Sequence, residues 1–151
     1  MQRIPPIAPI AAKGPLGLAH LPRMWSKTLQ EATGHLVEGY KTGCYFDRIL
    51  SASLGIDVQE AFSFVRSTRP TYLEFEAWVL ARAGGSLDPE RIEAANQAIL
   101  GHELDPDERE EFLRELGLPP GSPVRRTADL EQLDDWAQFH RLLTGAAGGG
   151  A

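Results

Sequence analysis

Four helix-start devices follow one another along the chain and leave little room for β-structure. Asp57 stands three residues before Glu60, and Thr71 three before Glu74. Asp88-Pro89-Glu90 and Asp105-Pro106 with Glu108 place a cap residue directly before a proline. In each, a short oxygen-bearing side chain accepts from otherwise orphaned N–H groups of a first helical turn. An acidic residue there also favours the positive end of the helix dipole. Gly34, Gly55, Gly101 and Gly117 fall where such helices should stop. The signals predict helices over about 22–33 and 45–54, one starting at Asp57, and others over about 71–83, 88–101, 105–117 and 128–143. No segment alternates with period two for long; only His35 to Lys41 has the look of a short extended piece. The expectation is an all-α single compact domain of about six or seven short helices, packed irregularly rather than as a long four-helix bundle.

Apolar spacing assigns faces. Leu21, Trp25, Thr28, Leu29 and Ala32 share one side of the first helix; Phe46, Ile49, Leu50 and Leu54 one side of the second. Ala61, Phe62 and Val65 face inward from the third. Leu73, Ala77, Trp78 and Leu80 are the expected core side of the fourth. Leu130, Leu133, Trp136, Ala137 and His140 are that of the last, with His140 a hydrogen-bonded core histidine. Trp25, Phe62, Trp78 and Trp136 are the expected aromatic anchors. Residues 1–17 hold four prolines and two glycines and read as an extended arm across the body. Residues 18–143 form the helical domain, and 144–151 read as a flexible Gly/Ala tail.

A chain of 151 residues with 42% hydrophobic and 24% charged residues can bury one core unaided. A single cysteine rules out an internal disulfide. The opening Met1-Gln-Arg-Ile-Pro-Pro lacks the apolar run of a signal peptide, and no stretch is long enough to span a bilayer. The expected compartment is the cytoplasm. The net charge of −6 divides unevenly: residues 1–50 carry six Lys/Arg against three Asp/Glu, and residues 101–151 five against eleven. An acidic whole argues against nucleic acid as a partner, which needs a concentrated basic surface. The basic first third can attract a small anion locally.

Candidate site residues concentrate between Leu18 and Asp57. His20, Arg23, Lys27 and Glu31 recur at helical spacing and form a stripe roughly 130° from the apolar face. The stripe reads either as an anion-binding edge or as a solvated flank. Cys44 precedes the second helix, close to Asp47. A thiol there is either a nucleophile with a lowered pKa, needing His20 or His35 as base, or a small buried residue. In the second case Asp47 favours the helix start or pairs with a base such as Arg23. Only about ten residues separate Gly34 from Cys44, so the loop should return Tyr40 and Cys44 to helix one. The expected cluster is His20, Arg23, Lys27, Tyr40, Cys44 and Asp47. The histidines show none of the spacings of zinc motifs, there is no Cys-x-x-Cys, and no phosphate-loop or dinucleotide fingerprint occurs. No metal and no cofactor is expected.

The same stretch resembles a bacterial family of unknown function, the one numbered 5069. Gly17, Leu18, His20, Leu21, Pro22, Arg23, Met24 and Lys27 match its opening motif; Gly34, Cys44, Asp47 and Leu54-Gly55-Ile56-Asp57 match later points. Asn96 and the acidic helix at 105–116 resemble its second half, so the likeness covers about residues 14–143. This chain departs from the family at Tyr45, where the family has proline after the cysteine, and at Gly39, which splits its Glu-Tyr pair. The resemblance implies a fold and a site location but no reaction. The resulting expectation is a non-catalytic ligand-binding or protein-interaction module. It takes a small anionic ligand or a protein partner at the helix-one/Cys44 region, and homo-oligomerisation is compatible with it. The alternative is a small cytoplasmic enzyme using Cys44 or His20.

Overall fold

A computed structural model describes residues 2–145. Among them are seven helices: α1 (Leu21–Ala32), α2 (Tyr45–Leu54), α3 (Val58–Thr68), α4 (Tyr72–Arg82), α5 (Pro89–Leu100), α6 (Pro106–Leu116) and α7 (Thr127–Thr144). The described residues contain isolated β-bridges but no strand, so the protein is all-α. No described helix is long and apolar enough to cross a membrane. The tail expected at 144–151 lies, from residue 146 onward, outside the described residues.

The caps act as their chemistry requires. Asp57 accepts from the N–H groups of Gln59 and Glu60, Thr71 from that of Glu74, and Asp105 from that of Glu108. Asp88 caps α5 without a side-chain hydrogen bond, leaving Pro89 to set the first turn. Gly55 closes α2 with φ +67°, a left-handed conformation that a side chain would strain. The next residue's N–H then returns to the Ser51 carbonyl at 3.0 Å, and Ile56 packs against the core.

Helix α1 is the centre. It packs on α3 and α4; α2 joins α3 to α5, and α7 covers α5 and α6. Leu21, Met24, Leu50, Phe62, Phe75 and Ile99 are almost wholly buried. The N-terminal stretch is extended, as its prolines require, but it is tied down along its length. The Ile4 N–H donates to the His35 carbonyl at 2.6 Å, and Gln30 Nε2 donates to the carbonyls of Ile4 and Pro5. The Leu16 N–H donates to the buried Glu76 carboxylate at 3.1 Å. The piece at 35–41 supplies the partner strand-like residue Leu36, bridged to Ile4.

Two face assignments are corrected. On α4 the buried residues are Phe75, Glu76 and Val79, while Leu73 is 62% exposed and Ala77 is exposed. Two neighbours, the arm and α1, compete for this helix, and the Glu76 carboxylate turns toward the arm's backbone. On α7 the buried residues are Thr127, Ala128, Leu130 and Asp135; Trp136 is 59% exposed and His140 is exposed. Asp135 must face Arg23, and successive helical residues lie 100° apart, which turns Trp136 outward. Phe62 is fully buried, whereas Trp25 and Trp78 are half-buried. Trp25 donates its indole N–H to the Pro70 carbonyl at 2.9 Å, and Trp78 stacks on Phe64.

Candidate functional site

The polar stripe of α1 is not a solvated flank. His20, Arg23 and Lys27 are at most 4% exposed, and only Glu31, at the far end, reaches solvent. Such burial of charge is tolerable only with partners in place. The partners come from α2 and α7.

His20 caps α1 with φ +70°, a left-handed conformation unusual for a residue with a Cβ and costing on the order of 1–3 kcal/mol. The surroundings hold it there. Its N–H donates to the Ile10 carbonyl at 2.7 Å and its carbonyl accepts from Met24 at 2.8 Å. Asn96 of α5 clamps the preceding turn: Oδ1 accepts from the Ala19 N–H and Nδ2 donates to the Gly17 carbonyl, both at 2.8 Å. The imidazole is thereby aimed at α2, where its Nε2 lies 2.6 Å from Asp47 Oδ1.

Asp47 is wholly buried in the first turn of α2. Its second oxygen accepts from the N–H groups of Gly43 (2.8 Å) and Cys44 (3.2 Å). Gly43 can present its N–H this way because its φ is +83°. One carboxylate therefore starts α2 and holds the α1 histidine. Burial alone would drive both groups to their neutral forms, but the hydrogen bond and the opposite charges outweigh it. His20 is raised above the ordinary histidine value and Asp47 is lowered below the ordinary carboxylate value.

Cys44 is partly buried at the N-terminus of α2. Its Sγ accepts from Lys27 Nζ at 3.4 Å and lies 4.0 Å from His20 Nε2. The proton on Nε2 points to the much nearer Asp47 oxygen, so Lys27 is the main partner of the sulfur. Burial raises the thiol pKa and Asp47 adds to that. Contact with His20 and the charges of Lys27 and His20 reverse the balance, and the thiol is lowered overall.

Arg23 faces the other way. It forms a two-pronged pair with Asp135 of α7 (2.6 and 3.0 Å) and donates to the Ala8 carbonyl at 3.1 Å. The alternative pairing of Asp47 with Arg23 is thus corrected: the partner of Asp47 is His20, because Asp135 already satisfies the guanidinium. Tyr40 donates its hydroxyl to Asp135 at 2.9 Å, and its ring lies under the Arg23 guanidinium at 5.9 Å. Burial, followed by the Asp135 charge, pushes its phenol well above the ordinary tyrosine value.

All six candidate residues come together. His20, Arg23, Lys27, Tyr40 and Cys44 line one open cavity of about 620 Å³, and Asp47 stands directly behind His20 and Cys44. Tyr45, Phe46 and His102 form an aromatic wall, with His102 4.8 Å from the Tyr45 ring. Glu103, Asp105, Glu108 and Glu131 also line the cavity and add acidic groups to it. Burial holds the Glu131 carboxyl above its ordinary range. Asp135, His102 and Asn96 are positioning residues that no local pattern announces. Each acts on a residue at least 56 positions away, and only the fold makes the pairing.

His20 Nε2, Cys44 Sγ and an Asp47 oxygen lie within 4.8 Å of one another, a donor set that zinc accepts. The arrangement does not suit a metal as it stands. Lys27 Nζ is 3.4 Å from the sulfur and 3.9 Å from Asp47 Oδ2, so a cation is already seated between the two anionic donors. His20 and Asp47 are also closer than two ligands of one tetrahedral ion would be. No family model and no curated protein matches the chain.

Proposed function

We propose that this protein is a binding module for a small anionic ligand, held at the cavity floor by Lys27. The observation that carries the reading is the state of that ammonium. It is 4% exposed, lines the cavity and has three donors. Its partners are the Cys44 sulfur at 3.4 Å and, beyond hydrogen-bond length, Asp47 at 3.9 Å. Donors remain for a ligand oxygen in a site where water screens poorly. The aromatic wall suits an apolar body attached to the anion, and the volume fits a compact metabolite-sized molecule. The same reading makes the chain a relative of the bacterial family numbered 5069, acting in the cytoplasm. The alternative, an enzyme using Cys44 or His20, is favoured by one observation: Cys44 opens onto the cavity with His20 and Lys27 beside it.

Thermal unfolding with acetate and with inorganic phosphate tests the reading. A ligand at 100 times its Kd stabilises by about 2.7 kcal/mol. Wild type should show a saturable rise in Tm with at least one of the two anions, absent in Lys27→Met. A rise equal in both proteins, or none in either, overturns the proposal.

A further inference from the structure

We infer that Cys44 is the nucleophile of this cavity, and that it adds reversibly to a carbonyl carbon lying next to the ligand's carboxylate, as in a small 2-oxo acid. The inference rests on the anion site proposed above and names the chemical class of its ligand.

Three observations converge. The sulfur lies at the cavity wall rather than in the apolar core, so a ligand can reach it. The ammonium that would hold a carboxylate is 3.4 Å from the same sulfur. A carboxylate on Lys27 therefore sets its neighbouring carbon beside Sγ, which is the placement that addition needs. The third observation is independent of the cysteine. His20 is fully buried and lines the cavity, yet its Nδ1 has no hydrogen-bond partner. An unpaired buried nitrogen of this kind is costly as pure scaffold and natural in a group that changes its proton load. The Lys27 and His20 neighbours, which favour the thiolate against burial and the Asp47 charge, support the same role.

The step balances without a co-reactant. The Sγ lone pair forms the S–C bond and the carbonyl π pair moves to oxygen. That oxygen takes the proton that the sulfur has given up, carried by the groups beside Sγ, Lys27 Nζ at 3.4 Å and His20 Nε2 at 4.0 Å. The product is a tetrahedral thiohemiacetal or thiohemiketal, and reversal restores both partners. Bonding the sulfur also frees Lys27 from it, leaving the ammonium to the carboxylate. The chain's single cysteine removes the other common fate of a reactive thiol, an internal disulfide.

The test uses the whole protein and glyoxylate labelled with carbon-13 at its aldehyde carbon. In wild type, carbon NMR should show a protein-bound, sulfur-attached carbon that dilutes away, and native mass spectrometry a single glyoxylate adduct. Both should vanish in Cys44→Ser and in Cys44→Ala. Iodoacetamide should alkylate Cys44 in wild type about tenfold faster than in Lys27→Met at pH 6.5. Acetate binding without any sulfur-attached carbon overturns the inference and leaves the anion site standing. A labelled adduct that persists in both cysteine variants overturns it as well. Stoichiometric zinc retained by the purified protein and lost in Cys44→Ser would also overturn it, since the sulfur would then be a ligand.

Discussion

Helices α1 and α7 invert each other. Seven residues of α1 are buried, and five of them are Arg23, Ser26, Lys27, Thr28 and Gln30. In α7 the large apolar residues Trp136, Phe139 and Leu143 are all more than half exposed, while an aspartate is buried. Each departure from simple amphipathicity answers the other. Asp135 is the counter-ion of Arg23, and satisfying it fixes the rotation of α7. A charge buried at the centre of a small domain thus decides which face of a helix at its edge meets water.

The largest effect should come from breaking the buried pair. Asp47→Asn leaves His20 without its counter-charge and should cost about 3–5 kcal/mol, read as a fall in the urea midpoint. The pH dependence has a definite sign. Asp47 is lowered in the folded state, so its contribution is present above the unfolded carboxylate value of about 4 and is lost as pH falls through the folded one. The stability gap between wild type and Asp47→Asn should therefore narrow below about pH 4. A constant gap down to acid unfolding would place the source of the loss elsewhere. His20 is raised, so its share is present below about 6.5 and fades as pH rises through its folded value.

Trp78→Ala should rank second, at about 2 kcal/mol. The indole is only partly buried, but it stacks on Phe64 with ring centres 4.9 Å apart and carries Arg82 over its face at 5.2 Å. Asp57→Ala removes a cap that serves two N–H groups and should cost about 1 kcal/mol, seen as a modest drop in Tm. Trp136→Ala should change the midpoint by less than about 0.5 kcal/mol, because the ring faces water. If Trp136→Ala matched Trp78→Ala, the α1/α7 contrast would fail. A Tm of Trp136→Ala independent of protein concentration would sharpen it further, by confining the ring's exposure to a single chain.

The helix series was legible because its signals are local. Asp57, Thr71 and Asp105 cap through backbone groups two or three residues away, and nothing distant can overrule such bonds. The convergence of Tyr40 and Cys44 on α1 was legible from chain length, since a loop that short cannot travel far. The faces of α4 and α7 were not. Leu73 and Trp136 are as apolar as any core residue, and their exposure follows from Glu76 meeting the arm and Asp135 meeting Arg23. Burial of the α1 stripe was hidden for the same reason: an isolated helix with His20, Arg23 and Lys27 on one side reads as solvated. Spacing says that charges share a face, and only their partners decide whether that face is dry.

The Arg23–Asp135 pair spans 112 positions of sequence, and this orders events during synthesis. When the first four helices have left the ribosome, the guanidinium of Arg23 has a place in the centre but no counter-ion. Closure of the longest loop in the site must precede its desolvation, and α7 is made last of the described helices. The cavity is therefore a late product of folding, even though six of the side chains that line it are encoded between positions 20 and 44. A nascent chain halted after α6 would carry every one of the six candidate residues and still lack a competent site.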